Sequence, residues 1–232
     1  MSQDLKYWDL EAEAFNLQYE TFPRFVEREV VWKQALEQAS SEIDNGLIAA
    51  DVGCGPGRLA QMLVELGRNT VCIDQSEAML KLARSRIESL DLNCEVQFRQ
   101  AALPFDARDL AGAVGIVACS SVLEYVEDPP AAVKSLASLL SADGIMLVSL
   151  PSMRSRFRRY ERILRWIPLL RPSYLVRQIW RPSIESATAV FQQAGLTVSS
   201  LDYYGAPPYP AIFGKPGNGA ETLVLFTLKR AS

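Results

Sequence analysis

Residues 47–57 read Leu-Ile-Ala-Ala-Asp-Val-Gly-Cys-Gly-Pro-Gly, an apolar strand that runs straight into a glycine-dense turn. A helical pattern, Arg58 to Leu66, starts at once. Gly53, Gly55 and Gly57 carry no Cβ, so this turn can take unusual dihedrals and pass its backbone close beneath a ligand. The spacing excludes the dinucleotide fingerprint G-x-G-x-x-G, whose third glycine would fall at Arg58. What stands here is Asp51-x-Gly53-x-Gly55-x-Gly57. By itself, Asp51 reads equally as a helix cap or turn former.

The rest of the chain repeats the strand–helix alternation. Thr70–Asp74 is a second strand ending on an acid, and Ser76 is placed to N-cap the helix behind it. Glu95–Gln100 alternates as a third strand and leads into Ala101-Ala102-Leu103-Pro104-Phe105. Val114–Cys119 is a fourth strand. Ser141–Gly144 reads as a turn before a fifth strand at Ile145–Leu150. An amphipathic helix over Ile184–Gly195 precedes a sixth strand at Leu196–Leu201, and Thr222–Leu228 makes a seventh. Strands alternating with helices predict a parallel α/β sheet covered on both faces. The chain has 232 residues, with no long polar linker and no internal repeat, which suits one domain.

Three segments together resemble the class I S-adenosylmethionine-dependent methyltransferases. They are Asp51-x-Gly53-x-Gly55-x-Gly57, Asp74-Gln75-Ser76-Glu77-Ala78-Met79-Leu80, and the Leu103-Pro104-Phe105 junction. The resemblance implies a Rossmann-like seven-stranded sheet of order 3-2-1-4-5-7-6, last strand antiparallel. It implies S-adenosyl-L-methionine as cofactor. Asp51 would accept from the ammonium of the cofactor's amino-acid moiety, with Gly53, Cys54, Gly55 and Gly57 passing beneath it. Asp74 and Gln75 would meet the ribose, a carboxylate there accepting both hydroxyls. Gln100 and Ala101 would meet the adenine, with the Gln100 carbonyl standing where the family usually has aspartate. Cys119, at the end of the fourth strand, and Tyr19, near the reactive methyl, complete the set. Gly115 and Tyr125 occupy positions where the family often has aspartate and histidine.

The chain contains no histidine. No His-based triad or imidazole base is therefore available, and an acceptor proton must go to Asp, Glu, Tyr or Lys. Glu124, Tyr125 and Tyr19 are the catalytic candidates. The bland alternatives are a helix-surface residue at 124 and a packed aromatic at 125. Methyl transfer depends less on a base than many reactions, since alignment and exclusion of water supply much of the rate. Cys54, Cys72, Cys94 and Cys119 include no C-x-x-C pair. They read as small buried residues in a reducing compartment, with no metal site. The N-terminus lacks signal-peptide character and no apolar run reaches spanning length, so a cytosolic location is expected.

Four regions follow: a helical cap over 1–44, a cofactor-binding core over 45–151, an insertion over 152–183, and the rest of the sheet over 184–232. The cap is rich in aromatics, with Trp8, Phe15 and Tyr19 spaced for one helical face. The insertion is the most unusual. From Pro151 to Ser183 there are nine arginines and a single acid, Glu161, so a chain of net charge −3 carries +8 here and −11 elsewhere. Aromatic and aliphatic residues interleave with the arginines, and Pro168, Pro172 and Pro182 divide the stretch into short helices. Such a segment suits an anionic membrane surface, an acidic substrate or an ordinary lid; an RNA role is disfavoured by the acidic chain. Val148-Ser149-Leu150-Pro151-Ser152 is similar to a run in the ubiquinone-biosynthesis O-methyltransferases, which implies a comparable lid over a lipid-like substrate. In the loop 205–214, Tyr209 and Phe213, with Tyr204 before them, are candidates to wall an acceptor pocket. The expected reaction is methyl transfer to oxygen of a small or lipid-like molecule. N- or C-methylation, or cofactor binding without catalysis, are the alternatives.

Overall fold

The computed structural model describes residues 3–21, 23–90, 92–164, 166, 173–207, 210–214 and 219–231. Seven strands form one sheet: β1 (Ile48–Val52), β2 (Thr70–Asp74), β3 (Val96–Gln100), β4 (Val114–Ser120), β5 (Leu140–Pro151), β6 (Leu196–Tyr204) and β7 (Leu223–Arg230). Their order is 3-2-1-4-5-7-6, and β7 runs antiparallel to both β5 and β6. The expected fold is present.

The sheet is buried on both faces, and the period-two alternation of its strands divides the core. Ala50, Val148 and Phe226 face α5 (Pro129–Leu139) and α8 (Ile184–Gln193). Their neighbours Ala49, Leu147 and Leu225 pack against α2 (Pro23–Glu42) and α3 (Arg58–Glu65). A third cluster joins Cys54 and Cys72 to α3 and α4 (Glu77–Glu88). The ahead-lying helix α1 (Gln3–Thr21) contacts α2 and α4. The crossover from β3 to β4 holds only a 3-10 turn, Arg108–Leu110, whose Leu110 plugs the first core.

Local chemistry sets the helix starts. Ser76, Asp128 and Ser183 each accept a hydrogen bond from a backbone N–H in the first turn of α4, α5 and α8, and Pro129-Pro130 pre-organises α5. The segment Ser141–Gly144 departs from the expected turn. Strand β5 runs through it, but Val114 pairs with Leu140 and Ile116 with Ile145, so residues 141–144 form a bulge in a continuous strand. Gly115 also gains an explanation. A Cβ there would lie 2.5 Å from Ile43 Cγ2 and 2.9 Å from Leu47 Cβ, so the end of α2 can seat on β4 only against a glycine.

Arg68 is wholly buried, unforeseen in the sequence. Its guanidinium donates to the Ser40, Ile43 and Asp44 carbonyls at 2.6–2.8 Å. These are carbonyls at and just beyond the C-terminal end of α2, where a cation is favoured by the dipole.

Candidate active site

The carboxyl ends of β1, β2 and β4 open into a cavity of about 660 Å³, where ligands bind in open α/β sheets. The glycine turn forms its floor. Gly53, Gly55 and Gly57 all have positive φ, at +70°, +51° and +80°. Above Gly55 there is open space, its ideal Cβ meeting nothing nearer than Phe15 at 3.9 Å, whereas a Cβ on Gly53 would strike a Val122 methyl at 2.2 Å. The turn is thus a cradle that side chains would fill.

Two carboxylates hold the cradle in shape. Asp74, in the wall, accepts from the Gly55 N–H at 2.8 Å through one oxygen and from the Ser76 N–H at 2.9 Å through the other. It therefore ties the glycine turn to the start of α4, and burial raises its pKa. Asp51, 1% exposed, accepts from the Ala60 N–H of α3 at 2.9 Å. Burial pushes its pKa up to about 7, with the Ala60 bond opposing. The cap reading of Asp51 thus holds, and the residue also borders the cavity.

Helix α1 roofs this half. Asp9 accepts from Ser76 Oγ at 2.5 Å, and Asn16 accepts from Arg86 at 2.8 Å, while Arg86 also donates to the Pro56 carbonyl. The Trp8 and Phe15 rings meet edge-on at 6.2 Å, on one helical face as their spacing predicts. Both line the cavity.

A family model described as a methyltransferase domain matches residues 24–201. The chain belongs to that family. It is 28% identical over 229 residues to the ubiquinone biosynthesis O-methyltransferase of Bordetella avium, covering 97% of this chain and 89% of the relative. The same-named protein of Marinobacter nauticus is 37% identical over 106 residues, 45% of this chain and 44% of the relative. Magnesium protoporphyrin IX methyltransferase from Synechocystis, solved with SAH bound, superposes with a TM-score of 0.66 at 16% identity, covering 89% of this chain and 85% of that one.

This methyltransferase takes S-adenosylmethionine as its cofactor, and the cradle and carboxylates fit such a molecule. The expected site residues divide. Asp51, Gly53, Cys54, Gly55, Asp74, Gln75 and Ala101 border the cavity. Gly57 does not. A Cβ there would come within 2.8 Å of the Ala83 backbone, so this glycine serves the close approach of α3 to α4. Cys119 is also outside the wall, turned into the core beside β5 by strand alternation; Ser120 and Ser121 hold the wall at that level. Gln100 is exposed and its amide nitrogen donates to the Gln75 carbonyl at 3.0 Å, away from the wall set. The Tyr19 side chain lies outside the described residues, as does Tyr209.

The other half of the cavity was barely legible in the sequence. Glu124 is no helix-surface residue: it is 1% exposed, on a 3-10 turn after β4, and borders the cavity. Its backbone carbonyl accepts from the Ile179 and Trp180 N–H groups at 2.7 and 3.1 Å, locking it to the insertion. No described group donates to its Oε2. Burial raises its pKa to about 7, against the pull of Arg158, Arg28 and Arg181. Tyr125 packs edge-on to Trp8 at 5.3 Å and also borders the cavity, its hydroxyl accepting from Gln178 Nε2 at 3.4 Å.

The arginines of the insertion separate into two groups. On α6 (Arg156–Leu164), Phe157, Arg158 and Glu161 are buried and line the cavity, while Arg156, Arg159 and Arg162 are exposed. At the end of α7 (Ser173–Arg177), Arg177 lies 4.0 Å over the Tyr7 ring. Tyr204 is buried and accepts from Trp32 Nε1 at 3.0 Å, a packing role in place of the expected pocket wall. Phe213, in the short helix α9 (Pro210–Phe213), stacks near Phe157 and Tyr160, both at 5.3 Å. Among the described residues no cluster of His, Cys, Asp or Glu is placed to hold a metal.

Proposed function

We propose that this methyltransferase methylates a hydroxyl oxygen of a small or lipid-like acceptor, with Glu124 as the base. The observation that carries this reading is the Glu124 carboxyl: buried in the cavity wall, with one oxygen lacking a donor among the described residues and a pKa near 7. A base poised near neutral pH is what deprotonation of a hydroxyl requires. The cofactor supplies an activated methyl group on a sulfonium. Glu124 takes the hydroxyl proton as the oxygen lone pair forms the new O–C bond, the C–S bond breaking with its electrons left on sulfur. The carboxylic acid then returns its proton to solvent.

The site residues have divided roles in this reading. Asp74 holds the ribose and keeps the Gly55 loop in place, Asp51 faces the amino-acid end, and Gln75 with Ala101 borders the base. The relatives named as O-methyltransferases support oxygen as the acceptor atom.

A lipid-like acceptor is supported by the outer face of the insertion. Ile163 is 63% and Trp166 83% exposed, beside the exposed Arg159 and Arg162. Apolar anchors among cations suit an anionic bilayer surface. No described helix is long and apolar enough to cross a membrane.

The test is chemical. Protein is incubated with methyl-tritiated cofactor and a bacterial extract, and the labelled product is treated with hydriodic acid. Methyl ethers release volatile methyl iodide; C-methyl groups do not, and N-methyl groups resist under mild conditions. Volatile label from the lipid fraction is the expected result, and label retained as involatile product would overturn O-methylation.

A further inference from the structure

Aromatic rings cross the site from the glycine turn to Glu124. Phe15 of α1 lies over the turn, 3.9 Å from where a Gly55 Cβ would stand. Trp8, two turns earlier on the same helix, meets Phe15 at 6.2 Å and Tyr125 at 5.3 Å, with interplanar angles of 82° and 81°. Tyr125 follows Glu124 on the 3-10 turn after β4. All three rings border the cavity. Trp8 and Tyr125 thus meet as two walls of a corner, between the cradle and the proposed base. A fourth ring, Tyr7, packs on Trp8 at 5.1 Å, but a guanidinium already lies over it, that of Arg177 at 4.0 Å.

The cofactor brings a charge of an unusual kind to such a place. A sulfonium has three carbon substituents and no N–H, so it cannot donate an ordinary hydrogen bond. The face of an aromatic ring, negative through its quadrupole, attracts a cation of this kind, and tryptophan does so most strongly. We propose that Trp8 and Tyr125 hold the sulfonium of S-adenosylmethionine and so favour the methyl donor over the demethylated product. This rests on the reading of the Glu124 end of the cavity as the acceptor side, since the methyl then leaves sulfur between the cradle and Glu124. As the new bond to the methyl carbon forms, the C–S bond breaks with its electrons left on sulfur, and the positive charge there is gone. The two rings then keep only apolar contact with a neutral thioether. Turnover itself loosens their hold. Carboxylates border the same cavity, including Glu11, three residues on from Trp8, and Asp51 in the cradle, and these also draw a cation. The two kinds of attraction separate on substitution, because one follows a charge and the other a ring face.

S-adenosylmethionine and S-adenosylhomocysteine are a matched pair, differing only in the methyl group and the charge. Each is titrated calorimetrically into the full chain and its variants, with no acceptor present. Trp8→Leu should weaken S-adenosylmethionine binding about three- to thirtyfold, while S-adenosylhomocysteine stays within about twofold of wild type. Trp8→Phe keeps a weaker ring and should fall between. Tyr125→Leu should shift the same ratio from the other wall, and it carries the test should Trp8→Leu fail to fold. Glu11→Gln should change the ratio less than Trp8→Leu does. Equal weakening of both ligands would make Trp8 a roof residue only and overturn the proposal. A ratio that Trp8→Leu leaves unchanged, or that Glu11→Gln alone abolishes, would overturn it as well. The titrations involve no acceptor, so they are independent of the methylated atom. A shifted ratio with label found on nitrogen or carbon keeps the sulfonium site and removes the O-methyl reading. An unshifted ratio with volatile methyl iodide released does the reverse.

Discussion

At the scale of single residues, two acids carry the account. Asp74 spends both oxygens on backbone N–H groups of the cradle, so its loss should disturb the loop as well as any ribose contact. Asp74→Ala is expected to weaken cofactor binding at least about tenfold by calorimetry, about 1.4 kcal/mol or more; unchanged affinity would remove the ribose assignment. Glu124 should act as its carboxylate. The rate of transfer should therefore rise with pH up to about 7 and level off above it. Asp51 and Glu124 were legible to different degrees. Asp51 stands in a motif, so its place was readable. Glu124 stands in the sequence only as one candidate base among three, and what sets it apart is the fold: Ile179 and Trp180 bond its carbonyl from more than fifty residues away, a contact no local pattern records.

At the scale of elements, the sheet was readable because each strand alternates or runs apolar, a pattern carried by adjacent residues. What a motif does not give is direction: strand alternation turns Cys119 into the core, and helix packing sets Gly57 against Ala83. Gly57→Ala tests this directly. Its positive φ and a Cβ 2.8 Å from the Ala83 backbone should cost about 2 kcal/mol or more in chemical denaturation. A variant of unchanged stability would show that α3 and α4 need no glycine between them. The α6 helix likewise has two faces that composition merged into one basic segment. Replacing exposed Arg156, Arg159 and Arg162 with glutamine should weaken sedimentation with anionic vesicles, and the effect should shrink in high salt. Salt-independent binding, or none in the wild type, would leave the outer face an ordinary lid surface.

At the scale of the whole molecule, stability and function oppose each other in the cavity. Burial keeps the pKa of Asp51 and of Glu124 near 7, above ordinary carboxylate values. Between about pH 4.5 and 7 the unfolded chain has released these protons while the native protein still holds them. Stability should therefore fall as pH rises across that window, by about 1.4 kcal/mol per pH unit for each group at most, and stay flat above it. Glu124→Gln should flatten part of this slope and stabilise the protein more at pH 8 than at pH 5; identical slopes would mean Glu124 is ionised throughout. Arg68 works in the opposite sense, as pure scaffold. Arg68→Met strands three carbonyls at the end of α2 and should cost about 2–4 kcal/mol without altering acceptor preference.

The most direct test of the account is methyl transfer by Glu124→Gln compared with wild type at pH 8, with S-adenosylmethionine affinity measured in parallel. The glutamine keeps the shape of the side chain and removes its basicity. Cofactor affinity within about twofold of wild type, with transfer to the acceptor reduced about 100-fold or more, is the predicted result. Transfer at the wild-type rate would contradict the account.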